Sequence, residues 1–325
     1  KFSEETPEKA EYEVKPKINP EDISLRQKLD ILFDAEKEIT GTGKNVPGRY
    51  ISYSDEYAEK YFINSEGAEI FSKIPRVSFF YFLLVEEGGK TAQRYWQYGN
   101  ASGFEAVKAW NIPELVKNEV LSTWNNLKNG VKLPPGKKTD FVVAPQVVGI
   151  MVHESVGHPC EADRIFGREA AQAGESYLTR DKIGSKLGSD VVNIVDDSTV
   201  ENSFGYFLYD DEGLKGRKRQ LIRNGVVSGL LNNRETAYAL GAKSNGASRA
   251  TSFNRETIVR MSNTFFEKGD MSEEELIEGV KDGIYMKNFT EWNIDDTRVN
   301  QKYVGSEAYL IKNGQLAGPV RMPVI

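Results

Sequence analysis

Between Arg49 and Tyr98 the chain consists almost entirely of short runs rich in β-branched and aromatic residues: "RYISYSDE", "EKYFINS", "VSFFYFLLVEE" and "TAQRYWQYG". Turn residues separate them, most clearly Ser65-Glu66-Gly67 and Gly88-Gly89. Extended runs joined by tight turns predict an antiparallel meander. The most apolar run, "VSFFYFLLV" (Val77 to Val85), has the length of a buried strand and falls well short of the roughly 20 residues that span a bilayer.

Helical signals flank the meander. In "INPEDISLRQKLDILFDAEKEI", Asn19 is a cap, Pro20 takes the first helical position, and Glu21 and Asp22 sit in the first turn. Leu25, Leu29, Leu32 and Phe33 follow at helical spacing and predict a core face. A second helix is predicted from about Pro113 to Asn129, and the Pro/Gly/Lys-rich "KLPPGKKTD" (Lys132 to Asp140) reads as a domain boundary. The expected organisation is a loose leader over residues 1–18, a helix–meander–helix domain over 19–131, and a second domain over 138–325. Lys1 and the polar residues after it suggest a chain that begins inside a longer gene product.

The second part opens with a short strand, "DFVVA", and a helix beginning at Pro145. Further helices are predicted near Arg234 to Leu240 and at Ser272 to Gly283, the latter with a Ser272/Glu275 capping box. "LIRNGVVSGLL" (Leu221 to Leu231) and "LIKNGQLAGPV" (Leu310 to Val320) resemble each other, and Asn-Gly between apolar runs is a strong hairpin signal. They suggest two equivalent hairpins in one large sheet or barrel-like body. The expected class is α+β: a meander domain, then a larger strand-rich, barrel-like domain.

Lys+Arg 42 against Asp+Glu 48 gives a net charge of −6, which argues against binding a polyanion through bulk charge. The basic cluster "LKGRKRQLIR" (Leu214 to Arg223) reads as a solvated strand face. One cysteine, Cys160, cannot form an internal disulfide, so a reducing cytoplasm is the expected setting.

Both histidines of the chain lie in "VHESVGHPCEAD" (Val152 to Asp163), with Glu154 directly after the first. Imidazole is the commonest zinc ligand, and a neighbouring glutamate can act as a base. In an H-E-x-x-H helix the two histidines are i and i+4, about 40° apart around the axis; here they are i and i+5, about 140° apart on a regular helix. Pro159 disfavours the α region at His158, and Gly157 tolerates irregular backbone, so the helix is expected to fail at Gly157 and let His158 swing towards His153. Zinc usually takes a third protein ligand. Cys160, Glu161 and Asp163 are candidates nearby, with Asp196-Asp197 and Asp210-Asp211 further off; Cys160 would make a cramped chelate, and the acid pairs suit turns.

The motif His153-Glu154-x-x-x-His158 with Glu161 and Asp163, followed by "VDDSTV", "YDDEG", "IRNG", "RMSNTF" and "SEAYLIKNG", resembles the TldD/PmbA family of metalloproteases, as does "LRQKLDIL" near the start. The resemblance spans essentially the whole chain. It implies a cytoplasmic zinc peptidase acting on peptides or unfolded polypeptides, in a family that also carries a label as modulator of DNA gyrase. His153 and His158 would be zinc ligands, and Glu154 the general base on zinc-bound water. It further implies a third ligand from a cysteine in a segment beyond residue 325, and a dimer, either of like subunits or with a PmbA-like (TldE) subunit. Two other readings are a non-catalytic regulatory subunit and an exopeptidase like the dipeptidyl peptidases III, whose third ligand is a glutamate. For the latter, no downstream paired-glutamate helix clearly suits the role: "SEEELIEG" is acidic, but capping and solvation explain it better. Neither a membrane nor direct nucleic-acid binding is expected.

Overall fold

The computed structural model describes residues 1–134, 136, 138–169 and 174–325. Its first half comprises β1 (Lys9–Glu13), α1 (Leu25–Gly41), β2 (Asn45–Ile63), β3 (Glu69–Glu87), β4 (Lys90–Asn100), α2 (Phe104–Trp110) and α3 (Ile112–Asn129). The meander is present, with three long strands where the sequence suggests four short ones. The first two runs merge into the 19-residue β2, because no glycine, proline or asparagine interrupts "SDEYAEKY". β3 pairs antiparallel with β2 on one side and with β4 on the other. Gly88 and Gly89, both at positive φ (58° and 72°), close the β3–β4 hairpin.

Strict alternation along β3 buries Val77, Phe79, Tyr81, Leu83 and Val85 completely on one face. Helices α1 and α3 cover that face through Ala35, Ile39, Ile112, Val116 and Val120. Two sequence expectations change here. Part of the supposed leader is a strand: Lys9 to Glu13 pairs in parallel with Glu69 to Lys73 of β3. In α1, a short 3₁₀ turn (Pro20–Asp22) takes the Asn19 cap, and the α-helix starts one turn later under a Ser24/Gln27 capping box. Its inward stripe runs through Leu32, Ala35 and Ile39, which leaves Leu25, Leu29 and Phe33 exposed on the neighbouring stripe.

The second half contains β5 (Asp140–Val143), α4 (Pro145–Val152), α5 (Ala162–Ile165), β6 (Ile194–Asp197), β7 (Lys218–Arg223), β8 (Val226–Val227), α6 (Arg234–Leu240), β9 (Ser248–Arg249), β10 (Ile258–Val259), β11 (Thr264–Phe266), α7 (Glu273–Glu278), β12 (Asp282–Ile294), β13 (Gln301–Lys312) and β14 (Gln315–Pro319). They form separate sheets ordered β14-β13-β12-β5 and β11-β6-β7-β8, with a β9–β10 ladder beside them. The class is α+β as expected, but among the described residues no sheet closes into a barrel. Both Asn-Gly hairpins form, with Asn224/Gly225 at φ 50° and 75° and Asn313/Gly314 at φ 51° and 78°. They belong to different sheets, since β7–β8 carries the first and β13–β14 the second. The basic cluster is a solvated face only in part, because Arg219 turns inward to an ion pair of 2.5 Å with the fully buried Asp196.

A buried polar knot joins the two halves behind α4. Arg94 of β4, wholly inaccessible, pairs with Glu119 of α3 and donates to Gln146 Oε1 of α4 at 2.8 Å. Asn126 Oδ1 of α3 accepts from the Ala308 amide of β13 at 3.0 Å. Among the described residues no helix is long and apolar enough to cross a membrane.

Candidate metal centre

Pro145 opens α4, and its register determines where the two histidines go. The helix does not fail at Gly157. It widens: His153 to Gly157 form a single π-turn, closed by the His158 amide donating to the His153 carbonyl. An i→i+5 bond stacks residues five apart, so the surplus residue that would separate the histidines on an α-helix is absorbed by the wider turn. Gly157 and His158 both stay in the right-handed helical region (φ −57°, ψ −63° and φ −60°, ψ −43°), so the steric bias from Pro159 is overridden. A Cβ on Gly157 would lie 1.8 Å from Met261 Sδ, which identifies close packing as the reason for glycine here.

The imidazoles of His153 and His158 meet edge to face with centroids 4.5 Å apart. One ligand atom from each of His153, Glu154 and His158 falls within 4.8 Å of the others. Glu161, fully buried, accepts from His158 Nδ1 at 2.8 Å, and this leaves His158 Nε2 as the free lone pair. Burial alone would raise the Glu161 pKa, but the His158 hydrogen bond and the charges of His158, Arg164 and Arg260 outweigh it and hold the carboxyl below its usual range. Arg164 Nε at 2.5 Å and the Met261 amide at 3.1 Å also donate to it, and Arg260 lies in ion-pair range at 3.7 Å. His153 keeps part of its surface open, yet desolvation in the cleft, then the adjacent His158, lowers its pKa to about 4. Both effects favour the neutral imidazole, the form that ligates metal.

Glu154 is buried and forms an ion pair with Arg298. Arg298 sits in the β12–β13 turn at φ 64°, where Asp295 accepts from the Val299 and Asn300 amides at 2.9 and 3.0 Å. A left-handed backbone at a long side chain costs about 1–3 kcal/mol and tends to mark functional positions. No local signal could reveal Arg298, which is 144 residues from its partner.

The other sequence candidates for a third ligand do not join the cluster. Glu161 is in the site, but as the support of His158. Asp163 accepts from the Arg164 and Val259 amides at 2.9 and 3.1 Å. Cys160 is wholly buried in the core with Val152 and Leu231, and burial, then the Glu161 charge, pushes its thiol up to about 12. Asp197 and Asp210 organise turns through the Thr199, Glu212 and Leu214 amides. Asp196 is held by Arg219, Ser262 and Thr264, and Asp211 by Lys60 at 2.5 Å. The acidic α7 is capped by Ser272 and lends Glu273 to Tyr285.

His153 and His158 open into a cleft of about 430 Å³ whose walls include Arg249, Arg260, Met261 and residues 262–265 leading into β11. β11 is the end strand of its sheet, so one edge of it is unpaired among the described residues. Arg298 lines a second cleft with Ser155, Tyr177, Gln301 and Tyr303. In this second group Ser155 Oγ donates to Gln301 at 2.6 Å, and Tyr177 donates to the Ser155 carbonyl at 2.8 Å.

Fold and cluster together define an α+β protein with a histidine-based metal-binding geometry on a widened helical turn. Residues 18–122 match the PmbA/TldA metallopeptidase central domain and residues 136–325 the PmbA/TldA metallopeptidase C-terminal domain, so the chain belongs to the PmbA/TldA (TldD/PmbA) metallopeptidase family. It is 35% identical over 311 residues to a metalloprotease of Methanocaldococcus jannaschii, covering 94% of this chain and 64% of that protein. A zinc metalloprotease TldD homologue of Saccharolobus solfataricus is 27% identical over 296 residues, covering 91% and 64%. The chain thus spans less than two thirds of the length of these relatives. Among solved structures, TldE of Thermococcus kodakarensis superposes with a TM-score of 0.75 at 19% identity, covering 99% of this chain and 71% of that one. A protein titled as a modulator of a DNA gyrase from Thermotoga maritima gives 0.80 at 19%, covering 98% and 70%. At such identities the likeness is one of fold.

Proposed function

We propose that this chain carries the catalytic centre of a zinc-dependent peptidase acting on peptides or unfolded polypeptides. The observation that carries the reading is the π-turn, which gathers His153, Glu154 and His158 within 4.8 Å while Glu161 fixes His158 from behind. The donor set fits zinc: two imidazoles, one with its ring oriented by a buried carboxylate, and an acidic neighbour. Zinc bound there would polarise the scissile carbonyl and make a water more acidic. His153 and His158 would be its ligands, with the third expected from a cysteine beyond residue 325.

Glu154 takes the proton of the attacking water and hands it to the leaving amine. Its pairing with Arg298 holds the carboxylate fixed in direction. The unpaired edge of β11 beside the cleft supports binding of an extended chain by strand addition, where main-chain hydrogen bonds supply affinity without regard to sequence. The assembly that goes with this reading is a dimer, of like subunits or with a TldE-type partner, in a cytoplasmic setting, with which the unbridged Cys160 is consistent.

The test is Glu154→Gln in the full-length protein, supplied with its partner if it has one. Zinc content should stay near one per chain while cleavage of a fluorogenic peptide falls by at least about 10²-fold, the usual weight of a general base. Cleavage at the wild-type rate would remove Glu154 from the mechanism.

A further inference from the structure

The wall of the histidine cleft is unusually well satisfied. Ser262 Oγ and Thr264 Oγ1 donate to Asp196, each at 2.7 Å. Asn263 is held through both ends of its amide, to the Gly205 amide at 3.2 Å and the Asp197 carbonyl at 2.7 Å. Arg260 is bound to Glu169 and to its neighbour's carbonyl, that of Val259, at 2.8 Å. Glu161 is engaged on both oxygens. Arg249, at the end of β9, lines the same cleft and differs from all of these. Among the described residues its side chain makes no hydrogen bond or ion pair, and its Nε is buried with no partner.

The carboxylates nearest to it in electrostatic effect, Asp196, Glu161 and Asp211, are already taken by other donors. Burial, opposed by those acids, still brings the guanidinium pKa below its ordinary value. A planar group with five donors, partly desolvated and uncommitted in a cleft shared with two metal-type imidazoles, is matched by an oxyanion gripped by two parallel N–H···O bonds, and the oxyanion that an unmodified peptide carries is a carboxylate.

We propose that Arg249 selects the substrate by binding a carboxylate close to the scissile bond, carried either by an acidic side chain or by the free C-terminus of the peptide. This rests on the peptidase reading and adds selectivity to it. Strand addition reads the backbone and is blind to sequence; Arg249 supplies one position at which charge counts.

The experiment uses the full-length zinc-loaded protein and peptides of one length that differ at a single position next to the cleaved bond, Glu or Gln, each with a free and an amidated C-terminus. A charge-assisted pair is worth about 10–100-fold, so the wild type should favour carboxylate-bearing peptides by that factor in kcat/KM. Preference for Glu whatever the terminus identifies a side-chain site, and loss of cleavage on amidation identifies a terminal one. Arg249→Gln should abolish the preference through KM and leave the neutral peptide within about threefold of wild type. Arg249→Lys should keep part of the preference, and Arg249→Glu should shift it towards a Lys peptide. Equal rates on all four peptides, or an equal loss on all of them in Arg249→Gln, would overturn the proposal, the latter marking a merely structural arginine. If the wild type cleaves none of them, the peptidase reading fails. Fluorescence anisotropy of the labelled Glu and Gln peptides on the metal-free protein then decides for Arg249 separately: a Glu preference lost in Arg249→Gln upholds it, and none refutes it.

Discussion

Gly157 sits inside the π-turn between the two histidines, and replacing it with alanine tests whether packing or backbone freedom explains the residue. Its φ of −57° is open to any amino acid, so no strain follows from conformation. The added Cβ would meet Met261 Sδ at 1.8 Å and Met261 Cε and Cγ at 3.1 Å. Restoring an ordinary separation of about 3.5–4 Å requires the sulfur to move by about 2 Å. Met261 is almost wholly buried, and its amide is tied to Glu161, so the movement must be made by the side chain alone. Overpacking costs about 1–3 kcal/mol, a displacement of this size in a buried site belongs to the upper part of that range, about 2–3 kcal/mol, and Gly→Ala in a helix returns about 1 kcal/mol, which leaves a net loss of about 1–2 kcal/mol.

At about 2 °C per kcal/mol for a chain of this size, Gly157→Ala should lower Tm by about 2–4 °C in calorimetry. Met261→Ala alone should cost about 2–5 kcal/mol through the cavity it leaves. In the double variant the new methyl enters that cavity, so the two losses should couple by about 1–3 kcal/mol instead of adding. Zinc affinity measured by chelator competition should fall only in Gly157→Ala, where the methyl presses on the turn, and recover in the double variant. Strict additivity within about 0.5 kcal/mol would refute the packing argument.

Glu161→Gln keeps the volume but removes the charge that orients His158, and about 10–100-fold in zinc affinity should go with it, while Arg164 keeps its ion pair with Glu169 at 3.2 Å. An unchanged zinc dissociation constant would contradict the orienting role. Burial, then the charge of Asp210, raises Glu212 to about 7, and burial raises Asp210 to about 6, whereas unfolded carboxyls titrate near ~4. Between these values the folded state binds protons that the unfolded state does not. These two groups therefore destabilise the fold at high pH, and the penalty is relieved as pH falls from 8 towards 5. Relative to wild type, Glu212→Gln should be more stable at pH 8 than at pH 5, with a slope of up to about 1.4 kcal/mol per pH unit around pH 5–6 that levels off above the folded pKa; parallel stability–pH curves would show that Glu212 does not titrate there.

Features governed by local chemistry were legible in the sequence. The Asn-Gly hairpins, the Gly-Gly turn, the Ser272 cap and the helices begun near Pro113 and at Pro145 need only a few adjacent residues, and all form. The grouping of the two histidines was legible too, but not its cause: the angular arithmetic assumed 3.6 residues per turn, and the backbone solved the mismatch by changing that number. "KAEYE" gave no strand signal because its alternation sets Ala10 and Tyr12 between charges, and only β3 beside it supplies a reason to be extended. The inward face of α1 was misread because three leucine-sized side chains advertise a face that the sheet does not cover. Arg298 and Arg249 were invisible because their meaning lies in what surrounds them after folding, one in a pair and the other in the lack of one.

The π-turn sets stability and activity against each other at a single residue. A helix gains by returning to its regular pitch, and each increment of that relaxation carries His158 round the axis, up to about 140°, away from His153. Substitutions that tighten α4 and its continuation would therefore make a sturdier protein and a poorer site. A screen for heat resistance alone would drift towards that loss, whereas one that also demands retained zinc would find its gains in the sheets and leave residues 153–158 untouched.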